Sequence, residues 1–74
     1  MTYNQYRAVL EDDGTHLEAL VDKYSVETVL EALSEICGAK AEHIATQWQD
    51  ASLAKRWMTV SATIDRAVFP ARGL

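Results

Sequence analysis

Glu35, Cys37, Glu42 and His43, with His16 upstream, are the candidate metal ligands of this sequence. A protein metal site needs such donors converging on one point, which short fixed spacings on a helix or turn usually provide. No E-x-x-H, H-x-x-x-H or C-x-x-C occurs, and Cys37 and His43 lie six apart, on different faces of a shared helix. No metal site is expected. His43 reads as a solvent-facing or interface residue and His16 as a first-turn surface residue. A serine or cysteine nucleophile would need a base within hydrogen-bond reach and an oxyanion donor, and no such set is recognisable. No glycine-rich phosphate loop or dinucleotide fingerprint is present either. The expectation is therefore no catalytic residue, no cofactor and no enzyme acting alone. Cys37, the single cysteine, falls on an apolar helix stripe and reads as a buried structural thiol. A reactive nucleophile or an intermolecular disulfide is the alternative.

The chemistry that the spacing does suggest is association. Residues 25–48 read as one long amphipathic helix. Ser25 is a suitable N-cap, and Glu27 sits where the helix dipole favours negative charge. Val26, Leu30, Leu33, Cys37, Ala41, Ile44 and Trp48 recur at helical spacing, with Val29 and Ile36 widening the stripe. A second row, Ser34, Gly38, Ala41 and Ala45, has almost no side chain. Glycine inside a helix costs about 0.8–1.0 kcal/mol relative to alanine, so a close crossing with another helix is the expected compensation. The other reading is a helix that kinks or restarts at Gly38. A third row, Glu27, Glu31, Glu35 and Glu42, is acidic; it would gain from cationic neighbours or else forms a solvated face.

The C-terminal third supplies those cations. Net charge runs −3 over residues 1–25, −4 over 26–50 and +3 over 51–74, for a total of −4. Lys55, Arg56 and Arg66 lie on a helix expected over residues 51–69, whose apolar stripe is Leu53, Trp57, Val60, Ile64 and Val68. Asp50 is its best N-cap, and Pro70 is expected to stop it at Phe69. Ahead of the long helix, Thr15-His16-Leu17-Glu18 has the form of a capping box that opens a short helix over 15–24. Leu17, Leu20 and Val21 would then pack against Val26, Val29, Leu30 and Leu33. Thr2 to Gln5 is a second capping box, so residues 1–14 form a first helix, with stripe Tyr3, Tyr6, Val9 and Leu10, or an extended arm. Residues 70–74 are expected to be a loose tail.

These elements give an all-α fold of three to four helices in one domain of 74 residues. Its centre is an antiparallel hairpin preceded by a short N-terminal helix. A core this small rarely supplies more than about 3–5 kcal/mol alone. A compact globule of this length has a radius of gyration near 11 Å, a diameter of about 30 Å, whereas 24 helical residues span about 36 Å. Part of the apolar stripe would project, and a two-fold dimer would cover it. The interface is expected at Ser34, Cys37, Gly38, Ala41, Ala45, Trp48 and Trp57. Glu27, Glu31, Glu35, Glu42, Lys55, Arg56 and Arg66 are the charged faces offered to partners.

Net negative charge argues against nonspecific nucleic-acid binding, and no apolar run approaches the length of a bilayer span. MTYNQYRAVLEDDG lacks the basic start and apolar block of a secretory leader, so a cytoplasmic location is expected. The runs LVDKYSVETVLEALSEIC, KAEHIATQWQD and LAKRW, across residues 20–57, resemble those of a group of short bacterial helical proteins of unassigned activity. That resemblance implies a bacterial, cytosolic protein and transfers no functional residue. The expected role is a self-associating adaptor or regulator that binds a protein partner. The alternative is a small transcription-linked or nucleic-acid-binding factor using the basic C-terminal helix.

Overall fold

A computed structural model describes residues 7, 9–11 and 14–74. Every regular element among them is helical: α1 (Gly14–Tyr24), α2 (Val26–His43), a π-helical turn (Ile44–Trp48) and α3 (Ala51–Ala71). The chain is all-α. Arg7 and residues 9–11 are also helical, with Arg7 paired to Glu11 one turn on at 2.8 Å. The capping box at Thr2 and the aromatic part of the first stripe lie outside the described residues. α1 begins at Gly14, so Thr15 sits inside its first turn and is not its N-cap.

One residue joins α1 to α2. The Ser25 N–H donates to the Val21 carbonyl at 2.8 Å, and its own carbonyl accepts from the Val29 N–H at 3.1 Å. Its hydroxyl caps α2 by accepting from the Thr28 N–H at 3.3 Å. Closing one helix and opening the next within a single residue forces φ to 94° and ψ to 158°, a region that costs an L-residue about 1–3 kcal/mol. α2 then passes through Gly38 without a break.

At its far end the helix widens into the π turn, with the Thr46 hydroxyl donating back to the Glu42 carbonyl at 2.9 Å. Gln49 takes the left-handed conformation, φ 54°, and Asp50 Oδ1 accepts from the Leu53 N–H at 3.0 Å as the N-cap of α3. α3 does not stop at Phe69. It continues through Pro70 to Ala71, because Val68 and Ala71 are buried and that packing outweighs the preference against helix before proline. Nor is the end a loose tail: the Arg72 and Leu74 N–H groups donate to the Phe69 and Ala71 carbonyls at 3.2 and 3.3 Å.

α2 and α3 run antiparallel, since Ser34 meets Ser61 while Glu27 meets Arg72 near the other end. Ser34 and Ser61 form a reciprocal clasp. Each hydroxyl donates to the other residue's carbonyl, at 2.9 and 2.8 Å. Such bonds require the two backbones to lie close, which only small side chains allow. The seam is accordingly Ser34, Cys37 and Ala41 against Ala54, Val68 and Ala71, all buried. The pairing of Ser34 with Ser61 places Ala41 level with Ala54, seven residues along each helix. This corrects the expected stripe of α3, in which Leu53 and Val60 were to face inward; both are exposed, and α3 is turned by about one position to present Ala54 and Ser61 instead.

The molecule is a slab of 37 × 30 × 17 Å with a radius of gyration of 14.1 Å, against about 11 Å for a compact domain of this length.

Candidate partner-binding surface

With its small residues turned to α3, helix α2 shows a second apolar face to the outside. Near its start, Val29 and Leu33 flank a groove of about 390 Å³ whose other wall is Leu17, Leu20 and Tyr24 of α1. Its lining is almost wholly apolar. The corner at Ser25 therefore does bring α1 alongside α2, as the spacing predicts, but leaves Leu17, Leu20 and Leu33 exposed. Toward the other end of α2 lies a second groove of about 540 Å³, between Ile36, His43, Ile44 and the two tryptophans. Ile36, 53% exposed, lines both.

The π turn shapes the second groove. Continued α-helical geometry would put Trp48 in line with Cys37, Ala41 and Ile44, on the stripe expected from its spacing. A wider turn rotates each successive residue less, which holds Trp48 on the groove side, 73% exposed. Trp57 is half-buried in the opposite wall, with Lys40 Nζ 5.8 Å from its ring centre, a distance at which a cation–π attraction operates.

The residues expected at an interface thus divide. Ser34, Cys37 and Ala41 are buried inside the hairpin. Gly38 is half-buried, where an added Cβ would lie 3.5 Å from the Ser61 hydroxyl oxygen. Ala45 is exposed, and Trp48 and Trp57 line the second groove. The close crossing anticipated from the small-residue row is therefore found between two helices of one chain. Leu33 of the expected stripe and Val29 and Ile36, the residues expected to widen it, form the open face.

The charged rows do not neutralise each other within the chain. Glu27 pairs with Arg72 at 3.5 Å. Among the described residues no ion pair joins Glu31, Glu35 or Glu42 to Lys55, Arg56 or Arg66. Glu31 and Glu35 instead share a groove with a third acid, Asp65 of α3. Arg66 donates to the Thr63 hydroxyl at 3.3 Å, and Lys55 and Arg56 are exposed on the outer side of α3.

Among the described residues no three of His, Cys, Asp and Glu converge on a point that could hold a metal ion, and no helix is long and apolar enough to cross a membrane. Compared with protein-family models, with curated proteins and with solved structures, the chain finds no match in any of the three, and no family is assigned to it.

Proposed function

We propose that this chain is a non-enzymatic helical binding protein that self-associates and serves a protein partner as an adaptor or regulator. One observation carries the reading: among the described residues the largest buried side chain is a valine, while Leu17, Leu20, Leu33, Ile36 and Trp48 remain exposed. Burying a leucine, isoleucine or phenylalanine side chain contributes about 1.5–3 kcal/mol, and a single copy collects little of that term. A fold that leaves these large apolar residues pointing outward along α1, α2 and the π turn gains most by covering them with another protein.

Light scattering across a micromolar concentration series tests this. A mass approaching twice the 8.3 kDa of the chain is expected, with a melting temperature that rises with concentration. A mass fixed at one chain, with salt-sensitive DNA binding lost on replacing Lys55 and Arg56, would move the assignment to the nucleic-acid alternative.

A further inference from the structure

We infer that the open face of α2 is closed by a second copy of this chain, packed antiparallel to the first about a two-fold axis through Ile36. The inference rests on the self-association proposed above and supplies its geometry. Ile36 is the single residue common to both grooves, and so marks the middle of the face. Two antiparallel copies of one helix that meet at residue 36 place each residue level with the one numbered 72 minus its own. That operation carries the α2 wall of the first groove onto the α2 wall of the second. Thr28 falls level with Ile44, Val29 with His43, Ala32 with Lys40 and Leu33 with Ala39, every one of them a lining residue. A two-fold contact requires this property, because the patch must meet its own image.

Charge agrees with the match. Among the described residues no acidic side chain lines either groove, so two chains of net charge −4 can meet here without opposing carboxylates from those linings. Lys40 meets Ala32, and about 12 Å of helical rise separates it from the other copy's Lys40. Area agrees as well. The chain exposes 6017 Å², whereas a folded monomer of its mass exposes about 4,600 Å². The excess exceeds the roughly 800 Å² per partner that a standard stable interface buries. Trp48, swung outward by the π turn, is then the anchor at the corner end of the other copy's first groove; tryptophans in such positions are frequent hot spots.

Cysteine cross-linking tests the register. In a Cys37→Ala background, Ile36→Cys is expected to link two chains on air oxidation, because a residue on a two-fold axis faces itself. Val29→Cys mixed with His43→Cys is expected to link, while Val29→Cys alone does not, its two copies being about 21 Å apart along the helix. Met58→Cys, exposed in the acidic groove, should stay unlinked. In the otherwise native chain, Ile36→Asp is expected to weaken association about a hundredfold or more with its circular dichroism unchanged. A dimer that links through Met58→Cys and not through Ile36→Cys would overturn this geometry and leave self-association standing. A wild-type chain that stays monomeric throughout would overturn both.

Discussion

At the scale of single residues, two positions separate what the backbone needs from what the side chain supplies. Ser25 caps α2 but holds a φ of 94°, so its hydroxyl helps while its Cβ is strained. Glycine is nearly as good an N-cap and carries no such strain. Ser25→Gly is therefore expected to match or exceed the wild type in urea unfolding, and Ser25→Ala to fall about 1 kcal/mol below it. Gly38 is the reverse case. It crosses Ser61, yet an added Cβ would sit at an ordinary 3.5 Å from that hydroxyl oxygen. Gly38→Ala should then recover most of the helix propensity, stabilising the fold by about 0.5–1 kcal/mol in the same measurement. A loss of more than that would mean the crossing is tighter than the geometry allows. The caps at Ser25 and Asp50 were legible in the sequence because capping is local. The strain at Ser25 was not, since it comes from where α1 and α2 must both point.

At the scale of elements, helix existence was readable and helix orientation was not. Periodicity located α2 and α3, because a repeat near 3.6 residues survives any packing arrangement. It could not say which of two apolar faces α2 would turn inward. The deciding interaction is the clasp between Ser34 and Ser61, 27 residues apart, which a one-dimensional pattern does not contain. The same clasp explains why α3 shows Ala54 and not Leu53 to its neighbour. A double-mutant cycle with Ser34→Ala and Ser61→Ala measures it. Coupling of about 0.5–1.5 kcal/mol is expected in unfolding free energy, and strict additivity would show the two hydroxyls acting independently. The swing of Trp48 escaped the sequence for another reason: a single π turn changes the phase of everything after it, and no residue type announces one.

At the scale of the whole molecule, the flat shape and the scarcity of large buried side chains are one property seen twice. A slab 17 Å thick is little more than one layer of helices, and one layer has no interior for leucines. The sequence foresaw an uncovered stripe from the length of the central helix. The expected interface, however, lay chiefly on the small residues and the tryptophans, whereas the open face carries Val29, Leu33 and Ile36. Fluorescence follows the covering of that face. With Trp57→Phe leaving Trp48 as the sole tryptophan, emission is expected to be that of a solvated indole in dilute solution and to shift to the blue as concentration rises. Emission unaffected by concentration, in a chain that does dimerise, would place the contact elsewhere. The sealed position of Cys37, in the seam between α2 and α3, has a consequence of its own. A thiol-specific reagent reaches that sulfur only when the hairpin parts, so its labelling rate clocks how often the two arms separate. The molecule thus carries a built-in gauge of its own breathing, one that should slow as anything, a twin or a stranger, settles on the far side of the same helix.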